Sequence, residues 1–361
     1  MRTCRVRNSN RHSVQPRTMP MENTLSIIEE QVKVVHASIQ KPDVFTNSSD
    51  FWRPGAHGIF GGFAIAQSLS AAQHTVAGGF VANSLHGSFV YAGNSEDPVL
   101  YYVERNRDGK GFCTRSVRAL QTEKPIFICT ISFAKQRSPE SERHSLQHSS
   151  PMPLGIPEPE NTFSSASNAK IPFINRSVGV LDRSGQRQPE DKLFHQWFKS
   201  SGPLSSSSGP QVHQAALAFM SDSYFLAGVP HSHDIWNFVN PPISEFHPSP
   251  NGLSKLTEKH TKIQRPHLET HKEKCEVNTT RVSMMVSLDH TIYFHNMESL
   301  RADEWLLSEV RSSWAGDGRG LVQQRIWTRN GTLLATCIQE VSKFCASCKT
   351  VSFGAIKYRI C

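Results

Sequence analysis

The second half of the chain holds three side chains whose types and settings could support acid–base chemistry: Asp222, His290 and Gln339. Asp222 interrupts the apolar run Phe219-Met220-Ser221-Asp222-Ser223-Tyr224-Phe225-Leu226. A carboxylate among so many apolar neighbours costs free energy unless it is hydrogen-bonded or used chemically. Two readings stand side by side: a buried carboxylate with a task, or a helix end at which Asp222 is exposed or caps the following turn. Gln339 shares a strand face with Leu333, Ala335, Cys337 and Val341. An amide pointing into that face needs partners, and a reacting water would serve as one. The run Met284 to His295 alternates, with Met284, Val286, Leu288, Ile292 and Phe294 on one face and Ser287, Asp289, Thr291, Tyr293 and His295 on the other. That is the pattern of a half-buried strand. His290 falls on its apolar face, where a satisfied core histidine is expected over a catalytic one.

These residues need elements to hold them, and an internal echo supplies the plan. Ile59 to Val76, apolar and rich in small residues, precedes strand-like runs near Ser84–Tyr91, Val99–Arg107, Phe112–Gln121 and Ile126–Ala134. Val212 to Leu226 likewise precedes runs near Met284–His295, Glu304–Ser313, Leu321–Thr328 and Leu333–Val341. Asp108-Gly109-Lys110-Gly111 in the first block is matched by Asp317-Gly318-Arg319-Gly320 in the second. Asp-Gly turns between β-rich runs favour hairpins, because Gly accepts positive φ without steric cost. Both helical candidates are apolar nearly all round and are therefore expected to be buried. A buried helix followed by a curved antiparallel sheet describes a hot-dog domain. The expected fold is α+β, a double hot-dog of two tandem units, each a long helix wrapped by its sheet.

Composition narrows the function classes. At 361 residues the chain is long enough for two ordinary domains. Hydrophobic residues make up 37%, so the core must be concentrated in segments. The formal charge of +8 suits a polyanionic partner, whether coenzyme A, nucleic acid or anionic lipid. The basic residues lie mainly in tails and loops without interleaved aromatics, which argues against nucleic acid. The eight cysteines are scattered, as expected of a reduced, intracellular protein. Cys345 and Cys348 have metal-site spacing, but no second ligand pair follows, so no metal is expected. No apolar run approaches the roughly twenty residues of a membrane span, and no secretory core opens the chain. The first residues carry Arg2, Arg5, Arg7, Arg11 and Arg17 with no acid, which fits a transit segment or a disordered basic tail.

The expected division is a basic tail and lead-in over 1–40, a first hot-dog unit over 41–137 and a Pro/Ser-rich linker over 138–210. A second unit follows over 211–342, with an insertion near 245–280, and a Cys-rich tail closes the chain over 343–361.

Several stretches carry a specific resemblance. Ala216-Leu217-Ala218-Phe219-Met220-Ser221-Asp222, Ser287-Leu288-Asp289-His290-Thr291-Ile292-Tyr293-Phe294-His295 and Ala335-Thr336-Cys337-Ile338-Gln339-Glu340 resemble type II acyl-CoA thioesterases, the TesB-like family. Gly58-Ile59-Phe60-Gly61-Gly62, His86-Gly87-Ser88-Phe89-Val90 and Glu104-Arg105-Asn106-Arg107-Asp108-Gly109 resemble its amino-terminal half. The resemblance implies hydrolysis of acyl-CoA to free acid and coenzyme A, with no cofactor, by a water activated among Asp222, Ser287 and Gln339. An aspartate can deprotonate water while hydroxyl and amide groups orient it. Gly61 and Gly62 either supply oxyanion-binding N–H groups or simply allow close packing, and packing is the expected role. Alternation puts Ser287 and Gln339 on faces of different character, so their convergence does not follow from pattern.

The chain departs from the family at Phe63, where Gln is common, at Tyr91-Ala92-Gly93-Asn94, and after Glu340. A hydratase on the same frame would need an Asp and His pair, and Asp97-Pro98-Val99 is followed by Tyr101 and Tyr102 instead. A non-catalytic acyl- or lipid-binding module is the alternative from another class. The family implies a peroxisomal location, but the ending Arg359-Ile360-Cys361 is not of the Ser-Lys-Leu type, which leaves the cytoplasm open. A homo-oligomer is compatible with all of this.

Overall fold

The protein is described by a computed structural model over residues 25–53, 58–136, 146–159, 171–180, 188–205, 209–235, 246–249, 252–255, 282, 285–342, 352–353 and 356–357. The basic amino-terminal segment, most of the expected insertion and Cys345 and Cys348 lie outside the described residues.

A short helix α1 (Ile27–Val32) opens the described chain, followed by β1 (Val34–His36) and β2 (Val44–Asn47). The first long helix, α2 (Gly61–Gln73), is buried from Gly62 to Gln73. With no charged side chain on any face, it packs inside rather than against water. Strands β3 (Phe80–Phe89), β4 (Leu100–Asp108), β5 (Phe112–Gln121) and β6 (Lys124–Lys135) follow. Then come β7 (Phe173–Val180), β8 (Leu193–Ser200), the second long helix α3 (Gly209–Ser221) and α4 (Phe225–Ser232). A small hairpin, β9 (Phe246–Ser249) and β10 (Gly252–Lys255), precedes β11 (Val286–Ser287) and β12 (Asp289–Phe294). Strands β13 (Leu306–Gly316), β14 (Arg319–Thr328) and β15 (Leu333–Ser342) complete the main sheet, and β16 (Ser352–Phe353) pairs with β17 (Ile356–Lys357) beyond it.

One thirteen-stranded antiparallel sheet carries the order β1-β2-β4-β5-β6-β3-β12-β15-β14-β13-β8-β7, with β11 beside β15. Read outward from the β3–β12 pair, the two directions repeat one plan: β3-β6-β5-β4 on one side and β12-β15-β14-β13 on the other. Alternating burial along β5 and β15 gives the sheet one inward face. The expected hairpin at Asp317-Gly318 forms with φ of 51° and 71°, joining Gly316 to Arg319 as a two-residue turn.

The long helices lie side by side in opposite directions. Gln73 at the end of α2 donates to Gln214 near the start of α3 (3.2 Å). At the other end, a Cβ on Gly62 would stand 2.4 Å from the Phe219 carbonyl oxygen, so only glycine permits that approach. Phe63, the departure from the family pattern, sits edge-on to Phe219 (4.9 Å) and Phe51 (4.9 Å) in an aromatic cluster between the helices.

Two expectations are corrected. The stretch 138–210, read as a linker, adds β7 and β8 to the sheet through β13. Its segment 146–159 crosses the outer face, where Trp197 and Trp327 donate to the carbonyls of Pro157 (2.8 Å) and Ser150 (3.0 Å). Strand β8 is buried on both faces and includes His195, which meets Glu309 at 3.0 Å, and Gln196, so no alternation marks it in the sequence. The second correction concerns the run Met284 to His295, which is interrupted at Leu288. Val286, expected inward, is 42% exposed.

Candidate active site

Asp222 is the first residue past the end of α3, and it is buried, 7% exposed. It is a buried carboxylate, not an exposed helix end. The carboxylate lies against the start of α2: the Gly62 N–H donates to it, and a Cβ on Gly61 would stand 2.6 Å from Oδ2. The amino-terminal end of a helix favours a negative charge by its dipole and its free N–H groups. Burial nevertheless dominates and raises the carboxyl to about 7, with the bonds from Gln339 and Gly62 working in the opposite direction. The Gly62 N–H is committed to Asp222, and both glycines allow a close approach, Gly61 to Asp222 and Gly62 to the Phe219 carbonyl.

Gln339, on β15, is fully buried. Its Nε2 donates to Asp222 Oδ1 (2.8 Å) and lies 3.3 Å from His290 Nδ1. Its Oε1 has no hydrogen-bond partner among the described residues. His290, on β12, is also fully buried, with Nε2 3.0 Å from Ser221 Oγ and its ring edge-on to Phe225 (5.2 Å). Burial pushes its pKa down to about 3. The 3.7 Å approach of His290 Nδ1 to Asp222 Oδ1 is therefore a contact with a neutral ring rather than an ion pair near neutral pH.

Ser287 reaches the inward face through a shift in strand register. Pairing along β12 and β15 runs through Thr291 opposite Ile338, which would continue to Leu288 opposite Val341. Instead Ser287 stands opposite Val341, one residue having been taken up in a bulge. Asp289 holds the bulge by accepting the Glu340 N–H (2.6 Å), while the Leu288 carbonyl accepts from the Phe89 N–H (2.9 Å) on β3. Cross-strand neighbours share a face, and Val341 shares that of Gln339, so Ser287 does too. Among the described residues no hydrogen bond joins Ser287 to Asp222 or Gln339.

The structure thus joins Asp222 directly to Gln339 and puts Ser287 on the same sheet face. It adds His290 and Ser221, which sequence reasoning left in the core; the sequence signal was the inward place of His290 and the position of Ser221 beside Asp222. Just ahead of α2, the Ile59 N–H donates to the Gly93 carbonyl (3.3 Å) of the departure at Tyr91-Ala92-Gly93-Asn94, where the Asn94 N–H donates to Gln121 Oε1 (2.9 Å). Among the described residues no cluster of His, Cys, Asp or Glu could hold a metal, and no helix is long and apolar enough to cross a membrane. The chemistry available is that of a base near neutrality beside an amide oxygen open to a further donor.

Comparison with known proteins bears on the same residues. Residues 48–134 match the acyl-CoA thioesterase N-terminal domain, and residues 147–342 match the acyl-CoA thioesterase C-terminal domain. Acyl-coenzyme A thioesterase 8 of Rattus norvegicus is 33% identical over 313 residues, covering 80% of this chain and 81% of that protein. The solved structure of acyl-CoA thioesterase II TesB2 from Mycobacterium marinum superposes with a TM-score of 0.60 at 26% identity, covering 88% of this chain and 96% of that one. A hot-dog-fold protein of unknown function from Alicyclobacillus acidocaldarius has a TM-score of 0.57 at 17% identity, covering 89% and 98%, a likeness of fold alone.

Proposed function

The chain belongs to the type II acyl-CoA thioesterase family, and from that premise we propose that it hydrolyses acyl-CoA with Asp222 as general base and Ser287 and Gln339 holding the attacking water. It is a thioester hydrolase with the hot-dog thioesterase fold. The finer reading of that fold is a double hot-dog, supported by the repeated strand order on either side of the β3–β12 pair.

The observation that carries the proposed chemistry is the buried bond from Gln339 Nε2 to Asp222 Oδ1, with Gln339 Oε1 beside it lacking a hydrogen-bond partner among the described residues. A water there has two protons and two lone pairs to place. One proton goes to the Asp222 carboxylate and the other is held by Gln339 Oε1. The Ser287 hydroxyl donates to one lone pair, and the second attacks the thioester carbonyl carbon. As the C–O bond forms, Asp222 takes the proton. When the tetrahedral intermediate collapses, the C–S bond breaks and Asp222 returns that proton to the departing sulfur, giving a carboxylic acid and coenzyme A. A carboxyl that titrates at about 7 can run both transfers, since base and acid forms are both accessible near neutrality.

The test is thiol release across a panel of acyl-CoAs, comparing wild type with Asp222→Asn. Turnover by the variant at the wild-type rate would remove Asp222 from the mechanism; binding without cleavage at every chain length would favour the binding module. Fatty acid metabolism, a peroxisomal site and a homo-oligomer are carried forward with this proposal, to be checked by a fluorescent fusion and by sedimentation.

A further inference from the structure

His290 is a buried, chemically competent side chain that the proposed hydrolysis leaves unused. We infer that it is a positioning residue: its ring, held by Ser221, fixes the amide of Gln339 so that Oε1 is the atom offered to the attacking water. The inference rests on the reading of Gln339 as a water-holding group.

The argument is one of hydrogen-bond direction. Ser221 Oγ donates to the Ala218 carbonyl (2.9 Å), an oxygen that can only accept, so the single hydroxyl proton is committed there. The contact of 3.0 Å between Ser221 Oγ and His290 Nε2 must then run from ring to hydroxyl, which puts the proton on Nε2. Nδ1 of the neutral ring is left with its lone pair and accepts from Gln339 Nε2 at 3.3 Å. The other Nε2 proton of Gln339 goes to Asp222 Oδ1 (2.8 Å). Both amide protons are placed, and Oε1 is oriented as a consequence.

Asp222 could not do this by itself. While ionised it accepts, and the amide must present nitrogen. Each time it carries the proton taken from water, it can also donate, and an amide held only by Asp222 would be free to turn its oxygen inward. The Nδ1 lone pair of His290 does not change through the cycle, because burial keeps the ring neutral. It holds the amide in one orientation in both protonation states. The groups around the pair are consistent: among the described residues the carboxylate paired with the ring is Asp222, Phe225 covers its edge, and burial keeps the nearby Cys337 thiol protonated.

Steady-state thiol release by full-length His290→Leu, His290→Asn and His290→Gln tests this, with thermal unfolding to monitor the fold. The Leu variant is expected to lose roughly 10- to 100-fold in kcat, the scale of a small misplacement of a reacting group, with little change in KM. Its acid limb in kcat/KM moves to higher pH, because a Gln339 amide free to turn offers its oxygen to protonated Asp222 and so favours that form over the ionised one. Asn keeps an acceptor near Gln339 and restores much of kcat, whereas Gln, which reaches toward Ser221, does not. Combined with Gln339→Ala, His290→Leu costs nothing further. A folded Leu variant with wild-type kcat and pH profile, or losses that add in the double variant, would overturn the inference. If the Leu variant does not fold, equal activity of the Asn and Gln variants overturns it. Wild-type turnover in Asp222→Asn would strike the base assignment, a different outcome.

Discussion

Gln339 Nε2 lies 2.8 Å from Asp222 Oδ1 although the two residues are 117 positions apart in the chain. The bond joins a strand in the middle of the sheet to the end of the helix packed beneath it. Its position makes the protonation of one carboxyl a property of the tertiary fold.

The pH dependence of turnover follows. A base must be ionised to accept a proton, and Asp222 is raised to about 7. The value of kcat/KM is therefore expected to rise with pH through about 7 and to level off above it until another group titrates. Asp222→Asn should lose about 10²- to 10⁴-fold, the usual contribution of a positioned base. A profile already flat from pH 5 upward would contradict a buried base.

The same carboxyl sets a pH dependence of stability. It titrates near 3.8 in the unfolded chain and about 7 in the folded protein, so the folded state holds the extra proton between these values. Stability falls as pH rises through that window, by on the order of 4 kcal/mol once ionisation is complete. Asp222→Asn removes the loss. Urea unfolding should show the variant more stable than wild type at pH 8, with the difference shrinking toward pH 4.

The glycine pair at the start of α2 separates packing from chemistry. Gly62→Ala drives a methyl group toward the Phe219 carbonyl and should cost about 1–3 kcal/mol by overpacking. Gly61→Ala meets Asp222 Oδ2 and the Phe89 ring instead, and should lower thiol release beyond what its unfolding curve explains. Denaturation curves read beside activity would distinguish them.

The bulge offers a test of strand register. Asp289→Ala removes the acceptor for the Glu340 N–H and should lower kcat about tenfold or more as Ser287 loses its inward setting. Asp289→Asn keeps an oxygen there and should retain most of the activity. Equal losses in both variants would indicate a role for the charge of Asp289 rather than for the bulge.

Much of the fold was legible in the chain. The all-round apolarity of α2 and α3 announced burial, and the Asp-Gly pairs marked hairpins at matching points. The cost of Asp222 and Gln339 in apolar surroundings flagged both residues. What stayed hidden is set by partners far away in sequence. Alternation put Ser287 on the wrong face because a bulge breaks the period of two, and Asp289, which stabilises it, looks like any outward polar residue. Strand β8 was lost in Pro/Ser-rich surroundings because burial on both faces erases alternation. His290 read as core because it is core, and its contact with Gln339 depends on the pairing of β12 with β15.

The β3–β12 ladder bears on how the chain can be handled. Asp289 to Tyr293 are bonded to Ser88 to Ser84, so β3, which follows α2, and β12, which follows α3, close one continuous surface. Cutting the chain between them would leave each fragment with a raw edge of unpaired backbone N–H and C=O groups, an open template for pairing with a copy of itself. Each fragment made separately is expected to aggregate, whereas both made together should recover a soluble pair. Neither fragment could cleave a thioester unaided, because one carries the acid and the other the glycines that receive it.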